Sequence, residues 1–393
     1  MRVLFISTGT KADGGGMFHS VITIAEALQR SSDDAEVRIL QIGTAKMPVF
    51  DATSLRVDRI LINGVGLSDY IRRMKDYCAS YMPTHIQVFD NRSYFFARIL
   101  ARSVGANLYL GRPGGPNPKL YFPQFADMVV FSEEGERYFK ARFPDSGVHL
   151  IPQRVAPTEP DLDRVAELRK LLTTGPRVFL RIGRIGPFHN GTNLKTFALA
   201  KRLRSDGVDV QAVHIGFVED QASLAELAEA AGPEDRVITD PKFTANAARL
   251  VSVADVVLGT GRSLVEGAML GKPVLTPLAE TALPVLVNGD HLDALAATNF
   301  SARNRLLGVD AEVCYEDVRR LFVESDAYEN AARFSQDVIA RRYHVDAAIP
   351  TWLALYQRDQ KRISGGVFGW DLILNGLVAV YWYVTTAMRR QKK

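Results

Sequence analysis

The sequence has little cysteine and no arginine-rich block. Its 393 residues include two cysteines, Cys78 and Cys314, which lie too far apart to form a disulfide framework or a metal-binding knuckle, so we expect a reducing compartment. The 48 basic and 44 acidic side chains leave a formal charge of +4. Lysine and arginine are scattered and do not alternate with aromatic residues, which argues against a nucleic-acid partner.

The sequence also shows no secretion signal. The N-terminal stretch MRVLFISTG contains one arginine, and its apolar run is too short for a signal peptide and typical of a buried strand. We therefore expect the body of the protein in the cytoplasm. Hydrophobic residues make up 47% of the chain, enough to build two cores, and the length indicates two or three domains.

Short apolar strands alternate with helical patterns along most of the chain. Predicted strands include residues 3–7, 37–42, 178–182 and 256–258. Residues 156–163, rich in proline and acid, have no apolar period and are predicted to be an interdomain linker. Strands that alternate with helices favour parallel sheets, so the predicted fold is α/β with two Rossmann-like, doubly wound domains.

The C-terminal region departs from this alternation. Residues 367–388 are apolar and rich in tryptophan and tyrosine, interrupted by Asp371 and Asn375, and the chain ends in RRQKK. The apolar side chains cover all faces of a helix and basic residues follow, so we predict membrane attachment with cationic anchors on the cytoplasmic side. The segment is at the short end for a spanning helix, and it either spans or lies flat. The alternative is a helix packed across the two domains or onto a partner.

Ligands of an open parallel sheet bind beyond the carboxyl ends of its strands, so the informative loops are those that follow strands. The first is KADGGGMFH, where Gly14, Gly15 and Gly16 let the backbone approach a ligand closely and His19 follows. The helix predicted from Met17 offers unpaired N–H groups to an anion. The spacing is not GxGxxG, and a loop that needs glycine only for mobility is the alternative.

The second loop is RIGRIGPFHNGTNL. Gly183 and Arg184 lie just past a predicted strand, where a guanidinium can bind a phosphate through two hydrogen bonds. A surface arginine is the alternative. His189 in the same loop is interpreted as a solvated bystander.

The third loop is TGRSLVEGAMLGKPVL, residues 260–275. It turns after a strand, and Ser263 is predicted to cap a helix whose first N–H groups face a phosphate. Glu266, about one turn further, can accept two hydrogen bonds from a vicinal diol such as a ribose. The alternative is a glutamate that only favours the start of a helix.

Together these residues resemble a known family. The order of GGG, IPQRV, IGRIG and ADVVLGTGRSLVEGAMLGKPVL is similar to that of GT-B glycosyltransferases of the group-1 or family-4 class, over most of residues 1–357. The resemblance implies two domains that face a cleft, and sugar transfer from a nucleotide diphosphate sugar with retention and without a metal or other cofactor. It also implies an acceptor domain at 1–156, a donor domain at 157–345, a helix at 346–362 crossing back to the first domain, and an apolar tail at 363–393.

The resemblance assigns roles by position. Glu266 matches the acid that holds the donor ribose, and Arg184 matches the basic residue that meets the diphosphate. The further donor-binding candidates are Gly183, Lys195, Gly261, Arg262, Ser263, Leu264 and Val265. The acceptor candidates are Gly14, Gly15, Gly16, His19, Asp90 and Arg112.

Several positions depart from the family pattern. Leu258 stands where the family often has a second acid, eight residues before Glu266. The lysine that usually follows Gly-Arg is absent, and Lys195 is its possible substitute. The family commonly has a histidine at the end of a middle strand of the N-terminal domain, and this sequence offers Asp90 and Arg112 there instead. A DxD triplet at residues 161–163 follows no strand and is interpreted as chance.

Three functional hypotheses remain from the sequence. The favoured one is a membrane-associated glycosyltransferase of the hexosyltransferase type that extends a lipid-linked or cell-envelope glycan at the inner face of the membrane, with homo-oligomers possible. The second is a non-catalytic glycosyltransferase-like subunit. The third is a nucleotide-sugar epimerase of the same fold.

Overall fold

The computed structural model describes residues 1–10, 15–62, 66–116, 119, 121–360 and 365–391. The chain folds into two compact units. The first unit combines residues 1–152 with residues 348–393, and the second unit is the continuous stretch 153–347.

The first unit is built on a seven-stranded sheet among the described residues, with every pair of neighbours parallel. Its strands are β1 (Arg2–Gly9), β2 (Glu36–Gly43), β3 (Arg56–Leu61), β4 (His85–Val88), β5 (Asn107–Arg112), β6 (Asp127–Val130) and β7 (Gly147–Leu150). The order across the sheet is β3-β2-β1-β4-β5-β6-β7. β1 is buried almost throughout, because both faces of a parallel sheet are covered by helices.

The second unit contains a six-stranded sheet, again among the described residues. Its strands are β8 (Arg177–Ile182), β9 (Val210–Ile215), β10 (Arg236–Ile238), β11 (Val256–Leu258), β12 (Val274–Pro277) and β13 (Pro284–Leu286). Their order is β10-β9-β8-β11-β12-β13. The edge strand β13 runs antiparallel to β12, since the six residues between them are too few for a parallel crossover.

Helices connect most of these strands. In the first unit they are α1 (Gly16–Ser31), α2 (Leu67–Tyr81), α3 (Asn91–Val104) and α4 (Glu133–Arg142). In the second they are α5 (Leu162–Arg169), α6 (Pro187–Ser205), α7 (Gln221–Ala230), α8 (Pro241–Thr244), α9 (Arg262–Met269), α10 (Leu292–Ala296), α11 (Ala311–Val323), α12 (Ser325–Phe334) and α13 (Arg341–Tyr343). Two more helices, α14 (Ile349–Tyr356) and α15 (Gly365–Gln391), belong to the first unit.

The segment predicted as a linker contains the start of a helix. Asp161 is the N-cap of α5, and its side chain accepts a hydrogen bond from the Arg164 backbone N–H. The DxD triplet therefore caps a helix here, a structural role that any aspartate in this position would fill.

Helix α14 completes the aromatic packing of the first unit. Trp352 is buried and packs its ring against Phe89, at the end of β4. The Tyr356 ring contacts the rings of Tyr109 and His85, and His85 Nε2 donates a hydrogen bond to the Tyr356 carbonyl at 2.8 Å. Helix α14 is therefore held in the first unit by large buried rings, which contribute strongly to a core.

Helix α15 lies against α3 through a polar contact. Asp371 forms an ion pair with Arg98, whose side chain is 1% exposed, and Asn375 donates to Asp371 Oδ1 at 3.0 Å. The sequence had suggested apolar residues on all faces, but these two polar residues share one face, four residues apart. Among the residues that the structure describes, no helix combines the length and the apolar character needed to cross a bilayer.

We predict that Trp352→Ala lowers the free energy of unfolding by about 3–5 kcal/mol, because it leaves a cavity beneath β4. Urea unfolding followed by circular dichroism measures this loss. Trp370→Ala is the matched control, since Trp370 is 78% exposed, and should change stability by less than about 0.5 kcal/mol. Equal effects of the two substitutions would contradict the packing described for α14.

Candidate functional site

The site of the second unit lies where the strand order reverses. β8 pairs with β9 on one side and with β11 on the other, and the carboxyl ends beside such a reversal form the usual ligand crevice. Gly183 follows β8 and Gly216 follows β9, and a Cβ atom on Gly216 would lie 1.8 Å from the Gly183 carbonyl oxygen. The absence of a side chain therefore permits this close backbone approach.

A buried cation, Arg181, occupies this crevice. Its Nε donates to Asn193 Oδ1 at 3.3 Å, and its Nη1 donates to the Leu258 carbonyl at 3.4 Å. Burial lowers the pKa of the guanidinium to about 10. Sequence reasoning missed Arg181, although a single arginine inside the apolar run VFLRI was a visible signal. Leu258, at the position of the missing acid, contributes its carbonyl to this contact.

Arg184 lies nearer the solvent than Arg181. Its Nη1 forms an ion pair with Glu219 Oε1 at 3.0 Å, and the guanidinium is about half exposed. The backbone of Arg184 is held by Asn193, which donates to its carbonyl at 3.0 Å. The predicted position just past β8 is therefore the observed one, and the role in diphosphate binding stays a prediction.

Two neutral histidines accompany the arginines. Burial and the nearby Arg184 and Arg181 lower the pKa of His189 to about 4. Burial and Arg181 lower the pKa of His214 to about 3, and its Nε2 donates to the Gly183 carbonyl at 3.0 Å. His189 was predicted to lie in a loop, but it belongs to the first turn of α6, which begins at Pro187, because proline is favoured at the first helical position.

The turn before α9 is built from two glycines. A Cβ on Gly259 would lie 2.3 Å from the Leu264 backbone nitrogen. Gly261 has φ of 50° and ψ of −117° and is the N-cap of α9. The prediction that Ser263 caps this helix is wrong, because its hydroxyl instead bonds the Thr260 N–H and carbonyl inside the turn. The first N–H groups of a helix have no partner within it, so those of α9 can meet an anion.

Glu266 lies one turn into α9 and is paired within the helix. Its Oε1 accepts from Arg262 Nε at 2.7 Å, and both side chains are almost buried. Burial raises the pKa of Glu266, and Arg262 opposes that shift. The helix packs closely on the sheet at Gly267, where a Cβ would lie 2.9 Å from the Val257 side chain.

The other donor candidates have structural contacts of their own. Lys195 Nζ donates to the carbonyls of Leu278 and Thr281. The side chains of Leu264 and Val265 are fully buried in the core, so only their backbone is available to a ligand. The substitution of Lys195 for the family's lysine stays a prediction.

The first unit places its candidates at the carboxyl edge of its sheet. Asp90 caps α3, accepting from the N–H groups of Arg92 and Ser93, and it also accepts from the Thr8 N–H at 3.2 Å. This links the ends of β1 and β4, where the strand order of this sheet reverses. Arg112 ends β5, burial lowers its pKa, and its buried Nε has no hydrogen-bond partner in the described part of the chain.

The glycine-rich loop is only partly described. Gly14 lies outside the described residues. Gly15 is the N-cap of α1 in an extended conformation, and Gly16 is the first residue of that helix. His19 lies in its first turn and is half-buried. Acceptor contacts of these residues stay predictions.

Comparisons with known proteins identify the fold. No family model and no curated protein matches the sequence. The structure of HepE from Anabaena in complex with UDP and glucose matches with a TM-score of 0.64 at 14% identity, over 90% of this chain and 99% of that one. A glycosyltransferase from Rickettsia africae matches with a TM-score of 0.65 at 11% identity, over 91% and 97%.

An epimerase shares the same architecture. UDP-GlcNAc 2-epimerase from Neisseria meningitidis, bound to UDP-GlcNAc, matches with a TM-score of 0.55 at 14% identity, over 91% of this chain and 100% of that one. At these identities the likeness concerns the fold. The chain has the GT-B fold, with two parallel-sheet α/β units.

We predict that Gly261→Ala lowers the free energy of unfolding by about 1–3 kcal/mol, because a side chain is strained at this positive φ. Gly191→Ala in α6 is the matched control, since a Cβ there meets nothing within 4 Å. It should be neutral or stabilise by up to about 1 kcal/mol. Urea unfolding of the two variants checks this, and equal losses would contradict the described turn.

The lowered pKa of His214 predicts that the fold loses stability in acid. A histidine whose pKa is lower in the folded than in the unfolded chain binds its proton more weakly when folded, so its contribution to stability is lost as the pH falls below about 6.5. When the pH falls from about 7 to about 5, the free energy of unfolding should decrease by about 2 kcal/mol less in His214→Gln than in the unchanged protein. Glutamine can still donate to the Gly183 carbonyl. Parallel pH profiles of the two proteins would contradict this.

Proposed function

We propose that this protein is a glycosyltransferase that moves a sugar from a nucleotide diphosphate sugar to an acceptor. The observation that carries the proposal is the crevice of the second unit, where Arg181, Arg184 and the N-terminus of α9 offer positive charge at the reversal of strand order. Anions bind well at such helix N-termini. HepE and the epimerase, which share the fold, were solved with UDP or UDP-GlcNAc, so the proposed donor nucleotide is UDP.

Each residue of the crevice has a proposed part in donor binding. Arg184 exchanges its exposed ion pair with Glu219 for the diphosphate, which offers more charge. Glu266 accepts hydrogen bonds from the ribose hydroxyls while Arg262 holds its other side. His189 is a second candidate, beside Lys195, for the place of the lysine that is absent from this segment. Because the diphosphate is anionic, its binding favours the protonated imidazole.

The proposed chemistry needs positioning and stabilisation of the leaving group. The acceptor hydroxyl oxygen attacks the anomeric carbon while the bond from that carbon to the phosphate oxygen breaks. The electron pair stays on the diphosphate, whose negative charge is stabilised by Arg184 and the N–H groups of α9. The departing phosphate accepts the hydroxyl proton. The proposal includes retention at the anomeric carbon, without a metal ion.

The acceptor is proposed to bind the first unit. Asp90 and Arg112 lie at its carboxyl edge, where the unpartnered Nε of Arg112 suits an acceptor oxygen. A lipid-linked or cell-envelope glycan is the proposed class, because the basic, apolar C-terminal segment suits a membrane surface on the cytoplasmic side.

Two alternatives have specific support. The match to the UDP-GlcNAc 2-epimerase supports an epimerase, which would convert the donor sugar without any acceptor. Leu258 at the position of the second acid supports a non-catalytic subunit, which would not turn over a donor. Analysis of sugar products by NMR, with and without acceptor, separates the three.

We predict that Arg184→Ala weakens binding of the preferred nucleotide sugar about 10- to 100-fold, because a charge-assisted hydrogen bond contributes about 1.5–3 kcal/mol. Glu266→Gln should weaken binding about tenfold, since the amide keeps the shape but loses the charge that strengthens the hydrogen bonds from the ribose hydroxyls. Calorimetric titration of the full chain with UDP-, GDP- and ADP-linked sugars measures both.

Arg177→Ala is the matched control for Arg184→Ala. Arg177 is also an exposed arginine paired with an acid, Asp255, but it lies at the amino end of β8. Its loss should leave the affinity for the donor unchanged. If Arg177→Ala weakens binding as much as Arg184→Ala, or if no nucleotide sugar binds the folded protein, the proposed donor site is wrong.

A further inference from the structure

One face of α15 packs against α3 of the first unit. Arg98 and Asp371 form a nearly buried ion pair, and Asn375 is buried and donates to both the carbonyl and the carboxylate of Asp371. A buried charge that loses its partner is costly, so this contact resists separation of α15 from α3. Gly376 also lies on this face, since a Cβ there would meet the Phe95 ring at 3.4 Å.

The opposite face of α15 is apolar and exposed. Its side chains lie at helical spacing and form what we call the apolar stripe: Trp370, Ile373, Leu374, Leu377, Val380 and Tyr381. At 1.5 Å per residue the stripe is about 16 Å long. Leu377 in its centre is 65% exposed and Tyr381 at its end is 72% exposed. A contiguous apolar surface of this kind marks an interaction site.

Basic residues flank the apolar stripe in the sequence. Residues 361–393 contain six of them, namely Lys361, Arg362, Arg389, Arg390, Lys392 and Lys393, against a single acid, Asp371. Because Asp371 is paired with Arg98, it does not offset these charges. In the sequence, the apolar stripe therefore lies between two groups of basic residues.

We propose that the apolar stripe binds an anionic lipid surface, with α15 lying in the plane of the interface. Tryptophan and tyrosine, at the two ends of the stripe, are the residues that favour this depth of a bilayer. A spanning orientation would place Asp371 and Asn375 in hydrocarbon, whereas the docked orientation keeps both against α3. A second copy of this chain is a poorer occupant, because it would bring two sets of six basic residues together.

This inference deepens the proposed membrane attachment by assigning its residues and its orientation, and its test needs neither donor nor acceptor. The full chain is incubated with phosphatidylcholine vesicles, with and without phosphatidylglycerol, and sedimented. We expect binding to vesicles that contain phosphatidylglycerol, and at least about tenfold weaker binding without it. Alkaline carbonate should release the bound protein, because a helix in the interface does not span the bilayer.

The variant Ile373→Asp with Leu377→Asp should reduce vesicle binding at least about tenfold, because it places charge in the apolar stripe. Leu307→Asp is the matched control, since Leu307 is a fully exposed leucine of the second unit, and it should bind like the unchanged protein. Unaltered thermal unfolding shows that each variant is folded.

Three outcomes would overturn the proposal. The first is vesicle binding that the double substitution leaves intact. The second is protein that carbonate does not release, which indicates a spanning helix. The third is self-association that the double substitution abolishes, without vesicle binding, which makes a second copy the occupant. Calorimetric titration of the same sample with a nucleotide sugar tests the proposed function separately, so the two can fail independently.

Discussion

The second unit is organised around a buried positive charge. Arg181 ties β8 to the end of β11 through the Leu258 carbonyl and to α6 through Asn193. No carboxylate in the described part of the chain forms an ion pair with it, so folding bears the cost of burying this charge. Burial, with the charges of Arg184 and Arg181, lowers the pKa of His189, and burial with Arg181 lowers the pKa of His214. Because the crevice holds positive charge and disfavours further protons, a bound anion is strongly stabilised there. This links the electrostatics of the crevice to the proposed donor.

Much of the fold could be predicted from the sequence because buried parallel strands are continuous apolar runs. The prediction for β11 coincides with the observed strand, Val256–Leu258. β3 was missed because its sequence, RVDRIL, alternates with charged residues, as an edge strand does. Of the site, the positions of Arg184 and Glu266 were predictable because each follows a strand or a turn. The arginine inside the apolar run was a visible signal, but the contact of Arg181 with the Leu258 carbonyl depends on which strands become neighbours. Gly259 was missed although its close contact, with Leu264, lies within the same turn.

The tail shows a different limit of sequence reasoning. Asp371 and Asn375 were treated as interruptions of an apolar segment, and yet Asp371 pairs with Arg98 of α3, and Asn375 donates to the Asp371 carboxylate. Their structural role depends on Arg98, which lies more than 270 residues earlier in the sequence. A long-range pair of this kind leaves no local periodicity. The exposed face of α15 is therefore apolar, whereas a surface helix usually turns its apolar residues inward.

The return of the chain to its first unit has a consequence for synthesis on the ribosome. Residues 153–347 form a unit that is continuous in sequence, so they can complete their core as soon as they emerge. The first unit, although made earlier, leaves Phe89 and Tyr109 without Trp352 and Tyr356 until the last part of the chain appears. The unit that is translated first is thus the one that finishes folding last, and a nascent chain exposes this aromatic surface, which favours aggregation, for most of its synthesis.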